Sequence, residues 1–281
     1  MARKSSDKSA IPLSLIKIGV IPAKGGEKYI PKIEMISTGM KKFDDILGGG
    51  FPRGRMVEVY GPEGGGKTTL AAEIAASILQ FLPKSFVVFI DAEHALNMEY
   101  LEEIGVDLSR FGLNQPMSAE EGFKVARKAV EQKASAVIID SIAAMVPQDN
   151  LDKDPGNKTP AVRARLVGTE LNIINSQLNT SGTIFICLNQ VREKIGVRFG
   201  NPETTPGGKA LKFYASIRIR VAKGTSIKAK SDDSKEARLG HWVKVNTDKN
   251  KCAMPFRSCE LPLIYGKGIH GARGIDRRDI N

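Results

Sequence analysis

Nine consecutive residues carry the densest chemical signal in the chain: Gly61, Pro62, Glu63, Gly64, Gly65, Gly66, Lys67, Thr68 and Thr69. The first eight read as glycine, four residues, glycine, lysine and a hydroxyl residue, directly after an apolar run and opening an amphipathic one. Glycines let backbone N–H groups turn inward around phosphates, and a helix N-terminus adds positive potential there. Lys67 can then reach the β and γ phosphates of a nucleotide such as ATP, and the Thr68 hydroxyl can ligate Mg²⁺.

Two carboxylates stand at the ends of apolar runs, where open α/β sheets bind ligands. Val137-Ile-Ile-Asp140 ends in Asp140, placed to hold the Mg²⁺ shell through water. Phe89-Ile-Asp-Ala-Glu93 ends beside Glu93, which could orient or deprotonate an attacking water. For Asp91, in the same run, the alternative of a helix N-cap stays open.

The elements that must position these groups follow from periodicity. Short apolar runs at Met56–Tyr60, Phe86–Ile90, Ala136–Ile139 and Thr183–Leu188 read as strands. Between them, apolar residues recur at three and four positions over Thr68–Leu82, Ala119–Gln132 and Ala161–Asn179, predicting helices. Strands alternating with helices predict an α/β core with a mostly parallel, doubly wound sheet. After Tyr214 the alternation changes to period two, in Ser216–Val221 and Trp242–Val245, predicting antiparallel strands that extend one sheet edge. The charged stretch Lys228–Glu236 between them predicts a solvated hairpin loop.

The chain has 281 residues and 41% hydrophobic content, which excludes a disordered or fibrous class. Its 42 Lys and Arg exceed its 31 Asp and Glu, giving a net charge of +11. That excess suits a polyanionic partner such as nucleic acid, or a merely basic protein, and charge alone leaves both open. The three cysteines, Cys187, Cys252 and Cys259, form no ligand-like cluster, which fits a reducing cytoplasm. Ile11–Ile16 is too short and interrupted for a secretory core or membrane span.

Several blocks together resemble the bacterial RecA family: Ile36-Ser-Thr-Gly39, Gly61 to Thr69, Phe89-Ile-Asp-Ala-Glu-His-Ala-Leu96, Gly200-Asn-Pro-Glu-Thr-Thr205, and Gly207-Gly208 through Ala210-Leu-Lys-Phe-Tyr-Ala-Ser216. The similarity runs from about Ile36 to Ile269. It implies a RecA-like phosphate-loop NTPase core over residues 36–270, preceded by an arm or polymerisation segment at 1–35 and followed by a short tail at 271–281. It also implies an ATP hydrolase that forms a helical filament on single-stranded DNA and exchanges strands with a homologous duplex.

By this resemblance Glu93 is the catalytic carboxylate, Tyr100 stacks on adenine, and Gln190 senses the γ-phosphate and relays it to a DNA-binding loop. An amide that donates and accepts at once suits such a position. Two DNA-binding loops are implied, at about Asp149–Arg165 and Arg192–Lys209. Their candidate phosphate contacts are Arg163, Arg165, Arg192, Lys194, Arg198 and Lys209, with Gly207 and Gly208 allowing close backbone approach. Ile195 and Pro160 match positions of apolar wedges between nucleotide triplets, although Pro160 departs from the usual residue there. Lys249 and Lys251 match a pair that reaches a neighbouring subunit's ATP, which would make hydrolysis depend on polymerisation.

The ends of the chain depart from the family. Leu13–Ile21 does not reproduce the expected N-terminal helix and suits a β-strand at the subunit interface. The sequence stops where a cellular member continues into a small C-terminal domain with an acidic tail, as a compact viral relative or a truncated copy would. A ring helicase or translocase would share Lys67 and Asp140, but not the Gly200–Ser216 block. A DNA-coating filament with ATP as assembly ligand alone would have no need of Glu93.

Overall fold

The structure is a computed structural model that describes residues 11–20, 32–152, 160–193, 203–228 and 238–269. The chain divides into two units, Met1–Glu34 and Met35–Asn281. In the first, α1 (Leu13–Lys17) is a short helix where a strand was expected. The reason is local. Leu15 N–H bonds to the Pro12 carbonyl, and the N–H groups of Ile18 and Val20 both bond to the Leu15 carbonyl, so the turn closes on itself.

The second unit begins with β1 (Met35–Ile36), α2 (Lys41–Leu47) and β2 (Phe51–Pro52), in which β1 and β2 pair antiparallel. There follow β3 (Met56–Gly61), α3 (Lys67–Phe81), β4 (Val87–Asp91), α4 (Met98–Glu103), β5 (Phe111–Asn114), α5 (Ala119–Glu131) and β6 (Ala136–Asp140). Next come α6 (Gln148–Leu151), α7 (Pro160–Ser181), β7 (Ile184–Gln190), β8 (Arg192–Glu193), β9 (Glu203–Thr204) and α8 (Ala210–Tyr214). The unit closes with β10 (Ile217–Lys228), β11 (Arg238–Asn250), β12 (Ser258–Ile264) and β13 (Gly268–Ile269).

Among the described residues, one large sheet has the order β13-β12-β11-β10-β3-β7-β6-β4-β5. Pairing is parallel from β10 through β3, β7, β6 and β4 to β5, and antiparallel from β10 through β11 and β12 to β13. This is the doubly wound α/β core with antiparallel edge strands that the alternating periods predict. Strands buried on both faces read as continuous apolar runs, and all five residues of β6 are buried.

Two apolar clusters cover the two faces. Val57, Val59 and Ile186 pack with Leu70, Ile74 and Ile78 of α3, while Met56, Phe185 and Cys187 pack with Phe123 of α5 and with Leu171 and Ile174 of α7. Helix α5 starts where its sequence says it should. Ser118 accepts from the Glu121 N–H at 3.3 Å, and the Glu121 carboxylate accepts from the Met117 N–H at 2.9 Å, a variant of the reciprocal capping box. No helix among the described residues is long and apolar enough to cross a membrane.

Candidate functional site

The phosphate-loop motif lies between β3 and α3, as its glycines and its flanking runs require. At Gly61 a Cβ would sit 1.8 Å from the Val221 carbonyl of β10, so only glycine lets the two backbones approach. Helix α3 opens at Lys67, which brings the lysine and two hydroxyls, Thr68 and Thr69, onto its first turn. The Lys67 ammonium donates to the Pro62 carbonyl at 2.8 Å. Burial lowers its pKa, opposed by the nearby charges of Asp140, Glu93 and Glu63.

Asp140 ends β6 and accepts from the Thr68 hydroxyl at 2.6 Å. Burial pushes its pKa up to about 6; the Thr68 hydrogen bond works against that, and the charges of Glu93 and Asp91 add to it. Glu93 follows β4, is exposed, and is held on one oxygen: Ser141 Oγ donates to its Oε1 at 2.5 Å and Gln190 Nε2 donates to the same atom at 3.0 Å. Asp91 has a different task. It accepts from the N–H groups of Ala95 and Leu96 and from the Gln115 amide, which pins the turn after β4.

These groups line one cleft of about 440 Å³, shared by Glu63, Gly64, Gly66, Lys67, Thr68, Thr69, Glu93, Tyr100, Asp140 and Gln190. Tyr100, on α4, has its pKa raised by burial, although a hydrogen bond to Thr69 counters it. The remaining walls are residues that sequence reasoning missed: His241 of β11, Leu263 of β12, and Tyr265 and Gly266 just beyond it. His241 is buried, and its Nδ1 lies 3.3 Å from the Tyr265 hydroxyl. For His241 the signal was the period-two alternation of Trp242–Val245 beside it, which predicts a strand without saying which end meets a cleft; Leu263, Tyr265 and Gly266 carried no such signal.

The donor set suits a magnesium-type cation together with a nucleotide. Thr68 and Asp140 offer two hard oxygens 2.6 Å apart at the foot of the lysine, with Glu93 and Asp91 adding negative potential. Among the described residues no group of three or more His, Cys, Asp or Glu forms a closed cage.

The candidate DNA-binding residues do not all fall on the two loops that the resemblance implies, and the helix that periodicity predicts from Ala161 takes two of them. Arg163 and Arg165 do not lie on a loop: α7 begins at Pro160, where a fixed φ suits the first helical position, and carries both arginines in its first turns. Arg163 Nη1 donates to the Ala143 carbonyl at 2.8 Å, while Arg165 is exposed. Arg192 opens the two-residue strand β8, which pairs antiparallel with β9, so the second segment has a hydrogen-bonded stem rather than being loop throughout. Gly207 has φ +89° and Gly208 φ +77°, and Lys209 is the residue before α8. Lys194, Ile195 and Arg198 lie outside the described residues.

Lys249 lies one residue before the end of β11 and Lys251 directly after it. Within its own chain the Lys249 ammonium is taken up by the carbonyls at the end of α8, at 2.8 Å from Lys212 O and 3.1 Å from Phe213 O. Burial lowers its pKa, as do the neighbouring charges of Lys251 and Arg218. Lys251 is exposed.

Comparison with known proteins agrees with this geometry. Residues 14–270 match the RecA N-terminal domain family. The chain is 43% identical to Protein RecA of Streptococcus uberis over 246 residues, which are 87% of this chain and 64% of that protein. It is 42% identical, over the same shares, to the Protein RecA of Streptococcus pyogenes serotype M5 and of Streptococcus equi subsp. zooepidemicus. The chain thus spans a little under two thirds of the length of these relatives. With its phosphate loop, strand-end carboxylates and sheet order all set in that matched stretch, the chain belongs to the RecA family.

Proposed function

We propose that this chain is a single-stranded-DNA-dependent ATPase that assembles as a filament on DNA and carries out homologous pairing and strand exchange. The observation that carries the reading is the placement of Gln190. It ends β7, touches Glu93 in the nucleotide cleft, and is followed after one residue by the Arg192 stem of a candidate DNA-binding segment. One strand therefore serves both the nucleotide cleft and that stem.

In this reading the glycine-rich backbone and Lys67 receive the ATP phosphates, and Tyr100 stacks on the adenine. Thr68 and Asp140 hold Mg²⁺, which when bound neutralises charge on the β- and γ-phosphates. Glu93 positions the attacking water and accepts its proton, with Ser141 and Gln190 fixing which carboxylate oxygen is free to do so. When the γ-phosphate leaves, Gln190 loses a partner and the β8–β9 stem is released with it.

Arg163, Arg165, Arg192, Lys194, Arg198 and Lys209 contact DNA phosphates, and Ile195 enters between bases. Lys249 and Lys251 serve a neighbouring copy's ATP, so turnover requires assembly. Residues 1–35 act in polymerisation, 36–270 form the ATPase core, and 271–281 are a tail. The partners are single-stranded DNA, a homologous duplex and further copies of this chain, in a reducing cytoplasm.

The test is ATP hydrolysis with and without single-stranded DNA, followed on the same sample by exchange between a homologous circle and linear duplex. Stimulated hydrolysis with joint molecules is the expected result. Hydrolysis in Lys67→Ala at the wild-type, DNA-stimulated rate would refute the site.

A further inference from the structure

Strand β3 carries two polar side chains on the face that Met56 begins. Along Met56–Gly61, Met56 joins the cluster under α5 and α7, and the residues that follow it on the same face are Glu58 and Tyr60. Glu58 is fully buried, which is costly unless the charge is paired and hydrogen-bonded. It is paired on both sides. Arg218 Nε of β10 donates to it at 2.5 Å, and Asn189 Nδ2 of β7 donates at 3.3 Å.

The run of contacts continues in both directions. Asn189 precedes Gln190, and its side-chain oxygen accepts the Gln190 N–H at 3.1 Å. The Arg218 guanidinium lies 4.5 Å above the Tyr60 ring, and the Tyr60 hydroxyl donates to Asp248 of β11. Burial and the Asp248 carboxylate raise the Tyr60 pKa far above its usual range, so the phenol stays a donor.

Asp248 faces Tyr60 because of a bulge. Arg218 is opposite Lys249 and Ile219 is opposite Thr247, so Asp248 is the extra residue between two paired ones. A bulge re-aims the side chains around it. Here it turns Asp248 toward Tyr60 and sets the position of Lys249, whose ammonium meets the end of α8. Tyr60, Arg218, Asp248 and Val191 line a second cavity of about 130 Å³, while Gln190, next to Val191, lines the nucleotide cleft.

We propose that Tyr60 and Asp248 are positioning residues whose hydrogen bond fixes the bulge, and with it the reach of Lys249 and Lys251 toward a neighbouring copy's nucleotide. The same contact ties that reach, through Arg218, Glu58 and Asn189, to the strand that ends in Gln190. That the Tyr60–Asp248 contact fixes the bulge and the position of Lys249 stands by itself; the neighbouring copy's nucleotide and the link to Gln190 rest on the assembly-dependent ATPase reading given above.

The experiment compares wild type, Tyr60→Phe, Asp248→Ala and the double variant. Tyr60→Phe keeps the ring under Arg218 and removes only the hydroxyl. The first readout is the acetylation rate of Lys249 by an acetyl ester, measured by mass spectrometry without nucleotide or DNA. It should rise several-fold in each single variant and no further in the double variant. Wild-type labelling in Tyr60→Phe, or effects that multiply in the double variant, would overturn the proposal.

The second readout is ATP turnover on single-stranded DNA against protein concentration. Loss of one hydrogen bond to a charged group predicts roughly a 10-fold fall in Tyr60→Phe, with affinity for a fluorescent ADP unchanged. Unchanged turnover beside raised labelling would overturn the link to Gln190 and the neighbour's nucleotide. If labelling rises but wild type itself shows no DNA stimulation, the positioning contact stands and the ATPase reading falls.

Discussion

Gln190 Nε2 donates to Glu93 Oε1 across 3.0 Å, joining the last residue of β7 to the segment after β4. The same Glu93 oxygen takes the Ser141 hydroxyl, so two donors hold one carboxylate atom. Gln190→Ala removes one of the two and, under the proposed function, the coupling from cleft to β8. The expected outcome is that ATP binding persists while the ratio of DNA-stimulated to basal hydrolysis falls by about 10- to 100-fold, the worth of one charged hydrogen bond. Steady-state rates with and without DNA check it; an unchanged ratio would remove Gln190 from the coupling.

Asp140 makes the nucleotide-free site sensitive to pH. Its pKa rises from 3.8 to about 6 on folding, chiefly through burial. The native state therefore holds a proton that the unfolded chain has lost. The resulting stabilisation is complete below about pH 4 and is lost as pH rises through about 6, a swing of roughly 2–3 kcal/mol. Asp140→Asn removes the charge, so it should melt higher than wild type at pH 8 and show no such gain at pH 4. Mg²⁺ with ATP should reverse the order at pH 8, because the carboxylate then has a cation to hold. Thermal melts at the two pH values, with and without Mg²⁺-ATP, test all three statements.

The parts legible in sequence were those set by local pattern. The fully buried β6 announced itself as Ala136-Val-Ile-Ile, and the phosphate loop carried its own strand and helix. Strand β5 was missed because Gly112 and Leu113 of its four residues are exposed, which leaves no apolar run to read. His241 and Tyr265 were missed for a different reason: the antiparallel strands fold back beside β3, and only that long-range pairing brings them to the cleft. Arg163 and Arg165 fell under two expectations, a helix from Ala161 by periodicity and a loop running to Arg165 by resemblance; the structure has the helix, and Pro160 marks its start.

Gly207 tests whether backbone shape, rather than DNA approach alone, requires glycine. Its φ is +89°, and a Cβ would lie 2.9 Å from Ile142 Cγ2, a fully buried side chain just beyond Asp140. Gly207→Ala should destabilise the folded protein without DNA by roughly 1–3 kcal/mol, a loss of several degrees in Tm. A variant that melts like wild type but binds DNA more weakly would leave DNA contact as the only reason for the glycine.

Arg163 and Arg192 are near enough that the charge of Arg192 lowers the Arg163 pKa, after burial as the first cause. Arg163 has a structural bond to the Ala143 carbonyl and a buried Nε that meets no hydrogen-bond partner among the described residues, whereas Arg192 is exposed. Two like charges held together are relieved by an anion between them, and a DNA phosphate would supply it. Removing either should weaken binding to single-stranded DNA, but only one loss should disturb the fold. Arg192→Gln should leave Tm unchanged and reduce the slope of log affinity against log salt by about 0.7, the share of one phosphate on a single strand. Arg163→Gln should lower Tm as well, because the Ala143 carbonyl loses its donor. Fluorescence anisotropy of a labelled oligonucleotide across a salt series, beside thermal melts, separates the two. An Arg192→Gln slope equal to wild type would mean that Arg192 meets solvent rather than phosphate.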